Sequence, residues 1–210
     1  MLNLKILTAC DENFKDIVKL NRPILKQYCL LHNYQIVEKS IVDFPKPPSW
    51  FKIDAMLVEM NSECSHVMWI DADTLILKQS FNIDSLLVPD KELYISRDIN
   101  GINCGIMILQ NTQFMRNILQ KINSMSEKYL NHIWWEQAAL MELIAEDYNQ
   151  IANYIQYVPQ RIINAYDKNL VSTLTDGYVS EDTFILHLPS SNNHTRLQTI
   201  KSYIKKYYDN

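Results

Sequence analysis

The interpretation of this chain depends on one stretch, Val67-Met68-Trp69-Ile70-Asp71-Ala72-Asp73-Thr74-Leu75-Ile76. Its first four residues are apolar, and an unbroken apolar run of this length is typical of a strand that is buried on both faces of a parallel sheet. Two aspartates follow, separated by one alanine. In α/β sheets of this kind, ligands bind at the carboxyl ends of the strands. We therefore predict an α/β domain with a polar site at the end of this strand.

The acidic pair Asp71 and Asp73 has two interpretations. Two carboxylates one residue apart repel each other unless a cation or a base neutralises them. Hard oxygen ligands suit Mg²⁺ or Mn²⁺, which can also contact the phosphates of a substrate. The alternative is an N-capping aspartate next to an unrelated surface aspartate at the end of a strand. The motif by itself leaves both open.

The composition is that of an ordinary folded protein, with 210 residues, 47% of them apolar and 21% charged. No repeat or linker divides the chain, so we expect a single domain over residues 1–210. The net charge of −4 gives no general attraction to nucleic acid, and we expect no nucleic-acid partner. Only three glycines are present, and no glycine-rich phosphate-binding motif occurs, which argues against a glycine-loop nucleotide site.

The spacing of the cysteines and the length of the apolar runs indicate the cellular compartment of the protein. The four cysteines are far apart in the sequence and form no CxxC pair, which is typical of reduced thiols in a cytoplasmic protein. The N-terminus lacks the pattern of a signal peptide. No apolar run reaches the 18 residues of a membrane span. We therefore expect a cytoplasmic location and no membrane span.

The segments around the acidic pair predict alternating strands and helices. Residues 4–9 are predicted to form a strand, residues 14–31 a helix that Asp11 caps, and residues 34–37 a second strand, which together make a βαβ unit. Further strands or short extended segments are predicted at residues 74–77, 93–96, 154–158, 161–165 and 183–188, and helices or helical turns at residues 50–60, 83–87, 114–125, 134–144 and 195–208. This pattern predicts a central, mostly parallel sheet flanked by helices.

Two further features could contribute to a site. Gly101 and Gly105 flank a polar turn before an apolar strand, and we interpret this segment as a binding turn because glycine lets the backbone approach a ligand closely. His187 ends the last predicted strand. A histidine in that position is either structural or a third metal ligand beside the two carboxylates.

Together these motifs resemble a known group of enzymes. Residues 69–73 resemble the Asp-x-Asp motif of glycosyltransferases with the GT-A fold, which is Rossmann-like. Residues 100–111 resemble the second motif of glycosyltransferase family 34, the galactosyl-, mannosyl- and xylosyltransferases. Residues 136–140 resemble the helix start that follows it, and Leu186-His187 resembles the terminal histidine that binds metal. Glycogenin-like retaining enzymes share this order of motifs, and the resemblance covers residues 4–196.

The resemblance implies an activity and a division of the domain. A hexose would pass from a UDP-sugar, UDP-glucose or UDP-galactose, to a hydroxyl of a glycan or glycoprotein acceptor, with retention of the anomeric configuration. The nucleotide would bind to the part of the chain at about residues 1–100. The sugar and the acceptor would bind to the part at about residues 101–196.

On the donor side, the resemblance implies a metal site. Asp73 and His187 would bind Mn²⁺ directly, with Mg²⁺ as the alternative ion, and Asp71 would bind the ion or the ribose. The ion would bridge the diphosphate and neutralise the charge that builds on departing UDP. The other donor contacts that the resemblance implies come from Thr8, Ala9 and Asn13 at the nucleoside, from Lys52 at the phosphates, and from Ala72 between the two aspartates.

The loop after His187 departs from the pattern of the relatives. Many of them have glycine three residues after the histidine, where this chain has Ser190. The basic residue expected some six positions after the histidine is Asn193, and the nearest base is Arg196. We assign the remaining phosphate contacts to Asn193 and Arg196.

On the sugar side, the resemblance implies that Asn103, Glu136 and Gln137 surround the transferred hexose, together with Asp98, two residues before the second motif. Two routes to retention are open. In a double displacement, Glu136 or Gln137 is the nucleophile. In a same-face displacement, the leaving phosphate takes the acceptor proton, and these residues stabilise an oxocarbenium-like centre.

Trp134 and Trp135 precede these residues directly in the sequence. Adjacent aromatic side chains in this position either form a wall against the face of a sugar or pack in the core. Their spacing leaves both interpretations open.

Two other classes of protein would share some of these features. A catalytically silent module could bind a sugar nucleotide or a glycan in the same cleft. A phosphatase of the haloacid dehalogenase type also has Asp-x-Asp after an apolar strand, with the first aspartate as nucleophile. Its motif normally follows the first strand and carries Thr or Val two residues after the second aspartate, where this chain has Leu75.

Overall fold

The computed structural model describes residues 2–170, 172 and 175–209. In chain order, the strands are β1 (Leu4–Cys10), β2 (Gln35–Ser40), β3 (His66–Ile70), β4 (Thr74–Ile76), β5 (Leu93–Asp98), β6 (Gly101–Gln110), β7 (Ile155–Tyr157) and β8 (Ile185–His187). The α-helices are α1 (Lys15–His32), α2 (Phe51–Met60), α3 (Gln113–Ser124), α4 (Ser126–Tyr129), α5 (Trp135–Ala145), α6 (Gln160–Ile163) and α7 (Asn193–Tyr207).

Six strands form the main sheet, in the order β2-β1-β3-β6-β5-β7. β6 is antiparallel to both of its neighbours, β3 and β5, whereas the other three pairings are parallel. Five of the six strands therefore run in the same direction. The predicted α/β fold with a mostly parallel central sheet is confirmed.

Helices cover both faces of this sheet, which explains why the central strand β3 is apolar from Val67 to Ile70. Val67 and Trp69 point into a core that contains residues of α2, α3 and α5. Met68 and Ile70 point into a second core that contains residues of α1 and α7. Because successive side chains of a strand alternate between faces, a strand between two cores has no polar face.

A small second sheet positions the histidine. β4 begins directly after the acidic pair and lies antiparallel to β8, with Thr74 opposite His187. β8 is thereby held beside the acidic pair, although the two segments are far apart in the sequence.

Two local predictions differ from the structure. Residues 161–165 are predicted to be extended, but Gln160–Ile163 forms one helical turn that begins directly after Pro159, its N-cap residue. A short apolar run fits a strand or a helical turn equally well, so its pattern does not decide between them. Gly101 and Gly105 do not form one binding turn. Gly101 has φ +114° at the turn before β6, and Gly105 lies inside the strand, where its missing side chain makes room for another residue.

The helices of the described residues were also compared with the requirements of a membrane span. Within residues 2–170, 172 and 175–209, none combines the length and the apolar character that crossing a bilayer needs.

Candidate active site

The acidic pair lies in a tightly held loop between β3 and β4. The Thr74 hydroxyl donates to the Asp71 carbonyl at 2.8 Å. From α1, the Asn21 amide donates to the carbonyls of Ala72 and Thr74, each at 2.7 Å. These bonds fix the backbone on both sides of Asp73, so the two carboxylates are preorganised at the carboxyl end of the central strand.

His187 completes a group of three metal-ligand residues. Its Nε2 lies 3.3 Å from Asp73 Oδ1. Asp71, Asp73 and His187 each offer one ligand atom, and these three atoms lie within 4.8 Å of one another. The other ring nitrogen, Nδ1, is 2.6 Å from Oδ1 of the buried Asn164, which can only accept a hydrogen bond. When a cation binds, this contact keeps the ring proton on Nδ1, so that Nε2 can bind the ion.

Two basic residues neutralise the acidic pair in this structure. Arg196 Nη2 lies 3.1 Å from Asp73 Oδ2, and Lys52 Nζ lies 3.2 Å from Asp71 Oδ1. Burial by itself would raise the pKa of Asp73, but His187 and Arg196 outweigh it, and the net pKa is lowered. Both oxygens of Asp73 thus face positive or hydrogen-bonding groups, as expected of a carboxylate built to stay ionised.

Lys52 connects the acidic pair to Glu136. Its ammonium is 3.0 Å from Glu136 Oε1 and donates to the Cys104 carbonyl at 3.0 Å. Burial lowers the pKa of Lys52, but the carboxylates of Asp71 and Glu136 outweigh that effect and the net pKa is raised. For Glu136, burial dominates and raises the pKa, while Lys52 opposes it. Its Oε2 is buried and has no hydrogen-bond partner among the described residues.

A second polar cluster lies in the same cleft. The hydroxyl of Tyr166 donates to Asp98 Oδ2 at 2.5 Å, and the Asn103 amide donates to the same oxygen at 3.0 Å. Burial, followed by the charge of Asp98, raises the pKa of Tyr166. Sequence reasoning missed Tyr166, because no local motif marks a tyrosine that meets its partners only across the fold.

The cleft contains two adjoining cavities. The larger has a volume of about 500 Å³ and is lined by Ala9, Cys10, Asp11, Phe14, Ile41, Pro48, Ser49, Lys52, Trp69, Asp71, Ala72, Asp73, Ile133, Trp135, Ser190 and Arg196. The smaller, of about 230 Å³, shares part of that lining and adds Asp98, Asn100, Asn103, Gly105, Trp134, Glu136, Gln137, Tyr166, His187 and Pro189. The two aspartates line both cavities, so the metal-ligand group lies where they meet.

Most of the residues expected at the site from the sequence therefore lie together in this cleft, but Thr8, Asn13 and Asn193 line neither cavity. The side chain of Thr8 is fully buried within β1 and lines neither cavity. Asn13 is exposed, and its carbonyl accepts a hydrogen bond from the Asn193 amide at 2.7 Å. Next to Ala9, the wall of the larger cavity is made by Cys10, Asp11 and Phe14, which sequence reasoning did not select.

The structure explains why residue 105, inside β6, is a glycine. A Cβ atom built on Gly105 would lie 2.3 Å from Cε1 of His187, closer than atoms can approach. We expect Gly105→Ala to destabilise the fold by about 1–3 kcal/mol, as overpacking does, because His187 has to move. In a His187→Ala background the same substitution should cost less, by a coupling of about 0.5–3 kcal/mol, and should retain only the cost of the 3.0 Å approach to Asn103 Oδ1. Urea unfolding of the two single variants and the double variant measures this coupling, and strictly additive effects would contradict the contact.

The fold is shared with known glycosyltransferases. The structure matches a glycosyltransferase involved in the glycosylation of the major capsid of PBCV-1, with a TM-score of 0.76 and 13% identity over 95% of this chain and 99% of that one. It also matches the galactosyltransferase LgtC, solved with donor and acceptor sugar analogs, with a TM-score of 0.59 and 12% identity over 97% of this chain and 96% of that one. These matches define the class: the chain has the GT-A glycosyltransferase fold.

The sequence comparison defines the family. A model of the galactosyl transferase GMA12/MNN10 family matches residues 7–92 and 87–197, and the chain belongs to this family, glycosyltransferase family 34. The chain is 21% identical, over 178 aligned positions that cover 67% of this chain, to a probable alpha-1,2-galactosyltransferase of Schizosaccharomyces pombe. It is 25% identical, over 149 aligned positions that cover 57% of this chain, to galactomannan galactosyltransferase 1 of Cyamopsis tetragonoloba. The matches span 54% and 34% of these two relatives.

Proposed function

We propose that this protein is a metal-dependent, retaining glycosyltransferase that transfers a hexose from UDP-glucose or UDP-galactose to a hydroxyl of a glycan or glycoprotein. The observation that carries the proposal is the group of Asp71, Asp73 and His187 at the junction of two cavities. One cavity has the volume of a nucleotide site, and the other is lined by carboxylates and amides. Membership of a glycosyltransferase family supports the same reaction class. It also removes the support for a phosphatase, as does the position of the acidic pair after the third strand.

We assign the two cavities to the two halves of the donor. The larger cavity is lined mainly by residues before residue 100, so we propose that it holds the nucleoside and that residues 1–100 form the nucleotide part. The smaller cavity draws most of its specific lining from residues 98–137 and 166–190, and we propose that it holds the sugar and the reacting hydroxyl. Both parts contribute to one site, as expected of a single domain.

The residues at the junction fit a hard divalent cation. Two carboxylates and an imidazole nitrogen are a ligand set that suits Mn²⁺ and also Mg²⁺. When bound there, the ion would supply positive charge against the diphosphate of the leaving nucleotide. Lys52 and Arg196 line the same junction and already neutralise the acidic pair, so they extend this positive surface toward the phosphates.

The walls of the smaller cavity suit a sugar on which positive charge develops. Glu136 is held by Lys52, and Gln137 is held by the backbone N–H of Cys104, which donates to its Oε1 at 3.0 Å. Asp98 and Asn103 offer further polar atoms for hydroxyl groups. We propose that Glu136 stabilises the oxocarbenium-like centre or attacks it, with Gln137 and Asn103 orienting the ring.

Calorimetry with UDP tests the proposal. UDP should bind in the presence of Mn²⁺ and lose at least about tenfold in affinity when EDTA replaces the ion, because the diphosphate loses its main counter-charge. Binding that is absent, or equally strong without metal, would overturn the proposal. Prolonged incubation of UDP-glucose and UDP-galactose with Mn²⁺ then separates an enzyme, which slowly hydrolyses its donor, from a silent binding module, which leaves it intact.

A further inference from the structure

The strand β6 bulges where it passes the acidic pair. Ile95 of β5 stands opposite Met107, but the next residue, Ser96, stands opposite Asn103, so residues 104–106 bulge out between these two pairs. Bulges are common next to active sites, where they redirect side chains and interrupt the ladder of backbone hydrogen bonds. The backbone groups of the bulge therefore need other partners.

Gly105, at the centre of the bulge, contacts both halves of the metal-ligand group. Its carbonyl accepts a hydrogen bond from the Asp71 N–H at 2.8 Å, and its lack of a side chain makes room for the ring of His187. Its own N–H donates to Oδ1 of the Asn103 side chain at 2.9 Å. Asn103 also lines the smaller cavity, so this one side chain connects the bulge to the part of the cleft that we assign to the sugar.

The orientation of the Asn103 side chain is fixed by Asp98 and Tyr166. Its Nδ2 donates to Asp98 Oδ2 at 3.0 Å and to the Tyr166 hydroxyl at 2.9 Å, and that hydroxyl donates to the same Asp98 oxygen at 2.5 Å. A carboxylate can only accept hydrogen bonds, so the NH₂ group of the amide has to face it, and Oδ1 is turned to Gly105. All three side chains are buried, where a polar group that loses its partner is costly.

The ring of Tyr166 is held independently of its hydroxyl. Its backbone N–H donates to the Gly177 carbonyl at 2.9 Å, and its carbonyl accepts from the Val179 N–H at 3.1 Å. The preceding residue, Ala165, accepts a hydrogen bond from the His187 N–H at 2.8 Å, and the rings of Tyr166 and His187 meet edge to face with their centroids 6.1 Å apart. Removal of the hydroxyl alone should therefore leave the ring in place.

We propose that Tyr166 is a positioning residue for glycosyl transfer and that its hydroxyl acts through Asp98 and Asn103. This inference rests on the proposed function, in which the smaller cavity holds the sugar. The hydroxyl keeps the carboxylate and the amide in one arrangement, so the polar atoms that meet the sugar need not reorganise during the reaction. A misplacement of about 1 Å at a reacting centre can lower a rate about 100-fold.

Kinetics of Tyr166→Phe with UDP-glucose and UDP-galactose in the presence of Mn²⁺ test the proposal. The kcat of donor hydrolysis should fall about 10- to 100-fold. The KM of the donor and the calorimetric affinity for UDP should each stay within about threefold, since Tyr166 lines the smaller cavity and not the larger one. Tyr28→Phe is the matched control. It removes the hydroxyl of an equally buried tyrosine in the second core, where that hydroxyl donates to the Phe81 carbonyl at 2.8 Å, and kcat should not change.

A second substitution shows whether the hydroxyl acts through the amide. In an Asn103→Ala background, Tyr166→Phe should lower kcat by no more than about threefold, because the amide that the hydroxyl positions is then absent. An equal loss in both backgrounds, or a normal kcat in Tyr166→Phe alone, would overturn the positioning role and leave the proposed function intact. A donor that stays intact with the unaltered protein would overturn both proposals.

Hydrogen exchange of the Asn103 side-chain amide, followed by nuclear magnetic resonance in deuterium oxide, needs neither activity nor a folded variant. In the unaltered protein this amide should exchange at least about tenfold more slowly than that of the exposed Asn61. In Tyr166→Phe the difference should shrink, because one partner of the amide is lost. Equally fast exchange of the two amides in the unaltered protein would overturn the network through which the hydroxyl acts.

Discussion

Asp73→Asn and His187→Ala are each expected to weaken Mn²⁺-dependent UDP binding by more than about 100-fold, since even the outer partners of metal ligands contribute about 10- to 100-fold. Asp73 contributes a carboxylate whose two oxygens face His187 and Arg196, and asparagine cannot replace its charge. His187 contributes the nitrogen, held in the useful tautomer by Asn164. Calorimetric titration of UDP at saturating Mn²⁺, together with electron paramagnetic resonance of free Mn²⁺, measures both losses.

Asp90→Asn is the matched control for this prediction. Asp90 is exposed and has φ +64°, which asparagine tolerates as well as aspartate does, so the same chemical change occurs far from the cleft without backbone strain. It should leave UDP binding unchanged. If Asp73→Asn bound Mn²⁺ and UDP as tightly as this control, the assignment of Asp73 as a metal ligand would be wrong.

Glu136→Gln is expected to lower the rate of sugar transfer by at least about 100-fold, which is the scale of one electrostatic contact to a transition state. UDP affinity should stay within about threefold, since Glu136 faces the smaller cavity and not the larger one. Glutamine keeps an oxygen that can accept from Lys52 while removing the negative charge. Transfer kinetics with UDP-glucose and UDP-galactose, measured beside UDP calorimetry, separate these two effects.

The choice of glutamine follows from the burial of the ion pair. Alanine would remove the Glu136 oxygen that accepts from the buried Lys52 and would destabilise the fold by about 3–5 kcal/mol, confounding the kinetics. Glu142→Gln, on the same helix but paired with Lys128 near the surface, is the matched control and should transfer at the normal rate. Normal transfer by Glu136→Gln itself would refute a catalytic role for that carboxylate.

Several features of the fold could be predicted because they depend on residues that are neighbours in the sequence. The apolar run before Asp71 predicts a buried strand, and the helical spacing before it predicts α2. Both are confirmed, and the boundaries differ by a residue or so. The prediction at residues 161–165 was wrong, because a short apolar run fits a strand or a helical turn equally well.

The set of residues that share the site could not be predicted in the same way, because it depends on contacts between segments that are far apart in the sequence. His187 entered the prediction through the resemblance, but its distance from Asp73 is set by the pairing of β4 with β8. The sequence does not show that Lys52 lies between Asp71 and Glu136, because a lysine in an amphipathic helix is usually exposed. Burial of Lys52 beside two carboxylates is a property of how α2 and α5 pack on the sheet.

The sequence by itself thus determined the strand that ends in two carboxylates and most of the order of strands and helices, because these depend on local patterns of apolar and charged residues. The family followed from the resemblance of its motifs. Only the tertiary structure decided which side chains share the cleft: the contact between Gly105 and His187, the bond of Asn164 to that ring, and the cluster of Tyr166 with Asp98. The physical reason is that the register of the paired strands and the packing of the helices fix the distances between side chains that are far apart in the sequence. Register and packing in turn follow from burying the two hydrophobic cores at the same time.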